Sequence, residues 1–265
     1  MPIFTDQMQQ KLQIDTPPQR IISLVPSQTE LLFDLGLDRE LVGITKFCVH
    51  PAEKCRLKTK IGGTKNFNIT LIDSLKPDLI IGNKEENYQE GIELLSQKYP
   101  VWMSDIKTLE QALAMIQSLG AILNKSEQAK RLGECIKIEF DALSQMNFPK
   151  IRIAYFIWRK PYMVAGKGTF IDHLLGICGL ENIFKGRKPY PEVSRDDLQA
   201  AQPEIIFLSS EPFPFQQKHI VEFAEICPQS QIRLVDGEMF SWFGSRLQFS
   251  AAYFKKILGE IHATY

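Results

Sequence analysis

Several features that would assign a function directly are missing from this 265-residue sequence. Its five cysteines are odd in number and include no Cys-x-x-Cys pair, which argues against a disulfide framework or a thiolate zinc site. No apolar run approaches the length of a membrane span. The N-terminal stretch has no basic head followed by an apolar core, so it lacks the pattern of a secretory signal.

The formal net charge is zero, because 31 Lys and Arg residues balance 31 Asp and Glu residues. A neutral chain favours neither a nucleic acid nor an anionic membrane as its partner. Hydrophobic residues make up 44% of the sequence, which is an ordinary globular composition. The length is enough for one large domain or two small domains with real cores.

Motifs of nucleotide binding and catalysis are also absent. GKGT at 166–169 lacks the preceding glycine of a phosphate-binding loop, and no G-x-G-x-x-G follows the first predicted strand. G-x-S-x-G does not occur, and no run of carboxylates resembles a glycosidase or a two-metal site. Dinucleotide binding and these hydrolase sites therefore have no support, and we predict no catalytic residue, no intrinsic cofactor and no resident metal ion.

The most regular stretch in the chain is residues 126–146. Leu132, Ile136, Phe140 and Leu143 recur at the spacing of a one-sided amphipathic helix. About 21 helical residues span roughly 30 Å, the width of a small domain. Strand, turn and helix patterns alternate on both sides of it. We interpret this helix as a strut that joins two α/β lobes; a crossover helix inside one domain is the alternative.

The alternating pattern predicts mainly parallel sheets in both halves. The predicted domains are an N-terminal α/β lobe (1–123), a linking helix (124–148) and a C-terminal α/β lobe (149–265). A short β-arm is expected at residues 3–14, and residues 46–68 are expected to be one long irregular loop. Such a loop is usually functional.

Two segments share one plan of short helix, proline, acidic residue, apolar strand and glutamate. They are ITLIDSLKPDLIIGNKEE (69–86) and VSRDDLQAAQPEIIFLSSE (193–211). We interpret them as copies of an internal two-fold repeat, although helix–proline–strand is common enough for coincidence to be the alternative. Ser194 is expected to cap the short helix of the second copy.

Ligands of open parallel sheets bind beyond the carboxyl ends of the strands. Pro26, Ser27 and Gln28 follow the first strand, where free N–H groups of a helix start can accept an anion or a carbonyl oxygen. Ser27 is expected to cap this helix, with Glu30 completing a capping box. A plain cap without any ligand is the alternative.

Phe47, Cys48 and His50 follow the second strand. A thiol and an imidazole two residues apart can ligate a metal or form a nucleophile–base pair. A catalytic pair is usually remote in sequence, however, and no second cluster supports a metal. A structural or ligand-lining role is therefore favoured for His50.

Two further loops combine aromatic residues with arginine: WRKPYMVAGKG (158–168) and DGEMFSWFGSR (236–246). Flat apolar faces beside a cation often bind planar or anionic small molecules. The candidate ligand contacts in these loops are Trp158, Arg159, Tyr162, Trp242, Phe243 and Arg246. Trp158 acting only as a plug of its lobe is the alternative.

RIISLVPSQTELLFDLGL (20–37) resembles the opening of the helical-backbone (class III) substrate-binding proteins of ABC transporters. LIDSLKPDLII, GKGTFIDHLLGICGLENIF and YPEVSRDDLQAAQPEIIFL resemble the cobalamin-binding subgroup in order and spacing. The resemblance implies an α/β fold of two Rossmann-like lobes joined by a single long α-helix, with a ligand cleft between the lobes.

The resemblance also implies a non-catalytic carrier that brings a bulky metal chelate, cobalamin-like or ferric siderophore-like, to an ABC permease. Surface glutamates of the family dock onto permease arginines, and Glu85 or Glu86 and Glu211 match them by position. Thr64 stands near the place where the cobalamin-binding subgroup has a tryptophan, so it joins the expected ligand contacts. Bare-metal members need several His and carboxylate ligands, of which only His50 is well placed here.

Two alternatives stay open: a cytoplasmic carrier or sensor of the same fold, and an enzyme that uses Cys48 and His50. The expected location is periplasmic if the chain is trimmed or exported, and cytoplasmic if Met1 is the native start. In each case we expect a monomer that binds a small-molecule chelate and no nucleic acid.

Overall fold

A computed structural model of the protein describes residues 2–146 and 148–263. The described chain forms two compact units. Unit 1 holds the residues up to Ile106, together with Glu110–Cys135 and Trp242–Arg246; unit 2 holds Lys107–Leu109, Ile136–Ser241 and the residues from Leu247 onward. No helix in these ranges combines the length and apolarity that a membrane span needs. The predicted domain limits stay a prediction, and Asn147 of the linking segment lies outside the described residues.

The elements of the first half build the parallel sheet of unit 1. In chain order they are β1 (Ile3–Thr5), β2 (Lys11–Gln13), β3 (Ile21–Ser23), α1 (Pro26–Asp34), β4 (Leu41–Ile44), α2 (Ala52–Arg56), β5 (Thr59–Lys60), β6 (Gly62–Gly63), β7 (Asn66–Phe67), α3 (Ile69–Leu75), β8 (Leu79–Asn83), α4 (Gln89–Ser96), β9 (Val101–Ser104), α5 (Leu109–Ile122) and α6 (Ser126–Ser144). The sheet order is β5-β4-β3-β8-β9, with every pairing parallel. The central strands β3 and β8 are buried throughout, as a parallel sheet covered on both faces requires.

The β1–β2 hairpin confirms the predicted β-arm and covers the outer edge of β9. The Asp6 carboxylate accepts a hydrogen bond from the Met103 N–H at 3.0 Å. The Gln7 N–H donates to the Met103 carbonyl oxygen at 3.1 Å. An open sheet edge would leave these backbone groups available for pairing with another chain, so the arm protects this edge.

The elements of the second half build the sheet of unit 2. They are β10 (Ile151–Trp158), β11 (Met163–Val164), α7 (Phe170–Ile177), β12 (Leu180–Asn182), α8 (Arg195–Ala201), β13 (Ile205–Ser209), α9 (Gln217–Ile226), β14 (Gln231–Val235), α10 (Gly237–Ser241) and α11 (Leu247–His262). The sheet order is β11-β10-β13-β14, with β12 also paired to β10. All of these pairings are parallel except β10 with β11.

The long amphipathic helix predicted over 126–146 is α6. Ile136, Phe140 and Leu143 are buried, which confirms the apolar stripe. The division between the two units falls inside this helix, between Cys135 and Ile136. The predicted fold class, α/β with mainly parallel sheets in two lobes and one long helix, is therefore confirmed.

An arginine closes the end of helix α3 in unit 1. Lys76 ends this helix in the left-handed region, with φ of 47°. The Arg20 side chain donates from Nη2 to the Leu75 carbonyl at 2.6 Å, and its backbone N–H donates to Asp78 at 2.8 Å. The last helical carbonyls, which lack partners within a helix, are satisfied in this way.

Unit 2 repeats this arrangement at the end of helix α8. Gln202 has φ of 45° at the helix end. The Arg152 side chain donates from Nη2 to the Ala201 carbonyl at 2.5 Å, and its backbone N–H donates to Glu204 at 2.9 Å. Because the two units share this capping at the residue level, the structure supports the predicted internal repeat.

The main errors of the sequence-based assignment concern short elements. Residues 46–68 are not one irregular loop, since they contain α2, β5, β6 and β7. The predicted loop 236–246 includes α10. Elements of two to five residues complete too few periods to leave a pattern in the sequence. The Ser194 cap is confirmed, with a reciprocal capping box to Asp197.

Candidate functional site

Three predicted ligand contacts and Glu30 form a cluster in unit 1, which we call the Trp242 cluster (Glu30, His50, Trp242 and Arg246). Arg246 donates from Nη2 and Nε to the two carboxylate oxygens of Glu30, at 2.5 and 3.0 Å. Its guanidinium carbon lies 4.9 Å from the centroid of the Trp242 ring. The His50 ring meets the same indole edge-on, with centroids 5.5 Å apart. Ion pair, cation–π contact and ring contact thus form one connected group.

Burial sets the electrostatics of this cluster. The side chains of Arg246 and Glu30 are only 11% and 10% exposed. Loss of hydration raises the pKa of Glu30, while the hydrogen bonds and charge of Arg246 and the nearby His50 act in the opposite direction. The bidentate pair holds the guanidinium over the indole face, because moving either partner away would leave the other charge buried and unpaired.

A glycine permits the close approach on which the cluster depends. Trp242–Arg246 connects α10 to α11 and lies in unit 1. A Cβ atom at Gly244 would overlap the carbonyl oxygen of Ser27 at the start of α1. Any larger residue would push this connection away from α1 and would separate Arg246 from Glu30.

The start of α1 differs from the prediction. Val25 is the N-cap, Pro26 takes the first helical position and no side chain caps the helix, so the predicted Ser27 cap and its capping box with Glu30 are wrong. Proline suits the first position because its fixed φ matches the helix and no N–H is needed there. Ser27 lies one position too late to cap the helix, and the Glu30 carboxylate bonds Arg246 instead.

Two predicted contacts in α1 are buried inside unit 1. Gln28 is fully buried and donates from Nε2 to the Ser104 hydroxyl at 2.7 Å, at the end of the neighbouring strand β9. Ser27 is 2% exposed, and its hydroxyl has no hydrogen-bond partner among the described residues. Pro26 is half-buried. The ligand roles of all three stay predictions.

In the loop after β4, Phe47 is exposed to solvent whereas Cys48 is buried. Phe47 is 52% exposed, with the Lys46 ammonium 5.1 Å from its ring centroid. Cys48 points inward, where Thr29 and Thr45 hydroxyls lie 3.1 and 3.2 Å from its sulfur. Burial raises the pKa of this thiol, so it stays protonated and is a poor nucleophile. This geometry argues against an enzyme that uses Cys48.

Thr64 occupies the tight turn between β6 and β7 and is half-buried. Its carbonyl oxygen accepts a hydrogen bond from Asn87 Nδ2 at 3.0 Å. Asn87 also donates to the Leu24 carbonyl at 3.2 Å, just beyond the end of β3. The turn is therefore fastened to the carboxyl end of the unit 1 sheet, where ligands of such sheets bind.

In unit 2 two of the predicted contacts after β10, Arg159 and Tyr162, bind Glu222, a residue that was not predicted from the sequence. Arg159 Nε donates to Glu222 Oε2 at 2.8 Å, and the Tyr162 hydroxyl donates to the other carboxylate oxygen. Burial opposes the charge of Glu222, but the hydrogen bonds from Tyr162 and Arg159 outweigh it and lower the pKa of Glu222. Trp158 is 38% exposed and meets Phe213 edge-on at 5.8 Å.

Glu30 and Glu222 were not predicted as site residues, for different reasons. Glu30 lies in the segment 20–37, but its spacing from Ser27 matched a capping box. Glu222 is one of two glutamates on the amphipathic helix α9, and nothing in the helix sequence indicates which residue it binds. In the described part of the chain, no group of three or more His, Cys, Asp or Glu residues is arranged to hold a metal ion.

The predicted docking glutamates differ in exposure. Glu85 is exposed and Glu86 is half-buried, and both backbone N–H groups donate to Asn83 Oδ1, at 2.9 and 3.1 Å. Glu211 is half-buried, and its carboxylate accepts a hydrogen bond from the Ser241 hydroxyl. Their contact with a permease stays a prediction.

Comparisons with known proteins agree with this architecture. A sequence profile described as periplasmic binding protein matches residues 21–224. The vitamin B12-binding protein of Vibrio campbellii is 30% identical over 197 residues, which cover 73% of this chain and 71% of the relative. The vitamin B12-binding protein of Pectobacterium carotovorum is 29% identical over 201 residues, which cover 74% and 72%.

Solved structures share the fold at lower identity. The periplasmic vitamin B12-binding protein of Vibrio cholerae has a TM-score of 0.80 at 24% identity, covering 92% of this chain and 98% of that chain. A periplasmic heme-binding protein from Roseiflexus has a TM-score of 0.78 at 20% identity, covering 91% and 98%. At these identities the structural likeness shows the fold alone.

Proposed function

Because this chain belongs to the periplasmic binding protein family, we propose that it is the non-catalytic substrate-binding component of an ABC importer. Its proposed substrate is a bulky metal chelate of the cobalamin-like or siderophore-like class. We propose that it works as a monomer outside the cytoplasmic membrane and hands the chelate to a permease. The sequence relatives named for vitamin B12 support a large, metal-bearing ligand.

The observation that carries this proposal is the cation-bearing aromatic surface within each unit. In unit 1 the half-buried His50 packs against Trp242, which Arg246 covers. In unit 2 the partly exposed Trp158 lies beside Arg159 in the chain. The exposed part of the Trp158 indole supplies area for a planar ligand, and the His50 imidazole supplies a polar contact to its substituents.

Five of the predicted contacts have distinct roles in the proposal. Phe47 and Trp158 offer accessible rings, and His50 offers a polar edge. Trp242 and Arg246 are largely buried and would hold His50 in position. The remaining proposed ligand contacts are Pro26, Ser27, Gln28, Thr64, Arg159, Tyr162 and Phe243.

The test is tryptophan fluorescence titrated separately with hydroxocobalamin, haemin and a ferric hydroxamate siderophore, corrected for ligand absorbance. The protein has three tryptophans, and Trp102 is fully buried in β9, so Trp102→Phe serves as the matched control. Trp158→Ala is expected to weaken binding by about 1–3 kcal/mol, as expected for a stacking residue. No saturable quenching by any probe would refute the proposal.

The permease contact needs a separate readout. We propose that Glu211 and either Glu85 or Glu86 contact basic residues of the permease. Glu85→Lys is expected to leave the ligand Kd unchanged and to reduce uptake by cells that carry the permease. Loss of ligand binding in this variant would contradict the docking role. Unchanged uptake would show that Glu85 does not contact the permease.

A further inference from the structure

The neutral charge of the whole chain hides a local excess of positive charge. Residues 46–60 contain five cations and one anion, which leaves 26 cations against 30 anions in the remainder. The structure places this segment at one end of the unit 1 sheet, on α2 and the edge strand β5. We call the following five residues the basic patch: Lys54, Arg56, Leu57, Lys58 and Lys60.

The inner side of the patch is firmly attached to unit 1. Cys55 is 3% exposed and anchors α2 in the core. Lys54 pairs with the Asp38 carboxylate at 2.9 Å, and Lys58 donates to the Asp38 carbonyl oxygen. Both ammonium groups also lie over the Phe33 ring, 5.5 and 6.0 Å from its centroid. The backbone of the patch is therefore fixed, and its outward side chains keep defined positions.

The outer side combines charge with an exposed apolar side chain. Leu57 is 85% exposed, and no described large apolar side chain is more exposed. Arg56 and Lys60 are exposed on either side of it in the chain, and the Lys60 ammonium donates one hydrogen bond to the Cys48 carbonyl at 3.3 Å. Leu57 ends α2 through its backbone N–H, which donates to the Lys54 carbonyl at 3.1 Å. Its side chain therefore contributes little to folding and is available to a partner.

We propose that the basic patch docks on an anionic phospholipid surface, with Leu57 inserted among the headgroups and Arg56 and Lys60 beside the phosphates. An apolar side chain within a cluster of cations is the combination that binds such surfaces. Each cation near the surface strengthens binding about fivefold. The proposal does not depend on which chelate the protein carries, and it would concentrate the protein at the membrane.

The composition of the patch favours lipid over a protein partner. Protein interfaces are depleted in lysine and are anchored by tryptophan, tyrosine and arginine. Three of the four cations in the patch are lysines, and its apolar member is a leucine without aromatic neighbours in the patch. Lysine ammonium groups are point charges on flexible stems, which suits a fluid layer of phosphates better than a fixed protein surface.

The test is flotation of the purified protein with vesicles of phosphatidylcholine alone or with one third phosphatidylglycerol. Binding is expected only to the anionic vesicles, and about 0.5 M salt should weaken it by shortening the Debye length to roughly 4 Å. Arg56→Gln with Lys60→Gln should weaken binding about 25-fold, since two cations are lost. Leu57→Ser should weaken it about tenfold.

The matched control is Lys130→Gln with Arg131→Gln, which removes the same charge from exposed positions of α6. It should bind the anionic vesicles nearly as well as the original protein. Thermal melts should be unchanged in all three variants, because the mutated side chains are exposed. No binding to anionic vesicles, or equal losses in control and patch variants, would overturn the proposal. Retention on immobilised polyglutamate without vesicle binding would assign the patch to an acidic protein instead.

Discussion

The ion pair between Glu30 and Arg246 offers the most direct test of the Trp242 cluster. Both side chains are about nine-tenths buried, at 10% and 11% exposure, and two hydrogen bonds join them. Removing one partner leaves the other charge buried and unpaired, which costs about 3–5 kcal/mol. We expect Arg246→Met to lower the free energy of unfolding by about 3 kcal/mol, near the lower limit, because each side chain keeps some contact with water.

Removing both charges should cost far less than removing one. The double variant Glu30→Met with Arg246→Met replaces the pair by apolar side chains of similar length, and such replacements are often neutral. If each single variant costs about 3 kcal/mol and the double variant about 1 kcal/mol, the double-mutant cycle gives a coupling energy of about 5 kcal/mol. Urea unfolding followed by circular dichroism measures all four proteins, provided that the slope with denaturant stays constant.

An exposed pair in the same chain gives the matched control. Lys137 and Asp141 lie one turn apart on α6, with side chains 64% and 56% exposed. Their double-mutant cycle should give a coupling of at most about 0.5 kcal/mol. If the Glu30–Arg246 coupling were equally small, the pair would not be held in a buried geometry. Such a result would contradict the buried arrangement of the Trp242 cluster.

Three further predictions concern packing and charge. Gly244→Ala should destabilise the protein by about 2 kcal/mol, because the new methyl group overlaps the Ser27 carbonyl; an unchanged urea midpoint would contradict this close approach. Tyr162→Phe should cost about 1 kcal/mol in the same assay, through the lost hydrogen bond to Glu222, and an unchanged free energy would mean that the bond is not formed. The pKa of Glu222 is lowered from its ordinary 4.5, so its ionisation stabilises the fold above pH 4.5 and this contribution is lost as the pH falls through the lowered pKa. Glu222→Gln should therefore lose less stability than the original protein on acidification below pH 4.5, and parallel pH profiles would refute the shift.

The Glu30–Arg246 pair of the Trp242 cluster can help to position a side chain that meets the ligand. A ligand that meets His50 would meet a side chain whose position is set by Trp242, and Arg246 in turn holds Trp242. Because Glu30 is buried and neutralises Arg246, the cluster presents little net charge. We therefore expect it to contribute shape and orientation more than electrostatic attraction.

The long elements and their order follow from local patterns in the sequence. A short helix, α3, lies at the start of the segment 69–86 as predicted, and the apolar stripe of α6 is buried as its spacing requires. Both patterns arise within one chain segment, since helix periodicity places residues three or four apart on one face. The aromatic loops after the strands were also recognisable, because parallel sheets bring strand ends to one edge.

Which of those residues come into contact depends on the tertiary fold. Glu30 and Arg246 are 216 positions apart, and Arg159 and Glu222 are 63 apart. A charge at one position carries no local mark of its partner at such separations. The burial of Gln28 and the exposure of Leu57 were likewise invisible, because both depend on which elements pack around them. Local periodicity specifies an element, whereas a site and its charges depend on free energies that exist only once distant elements are in contact.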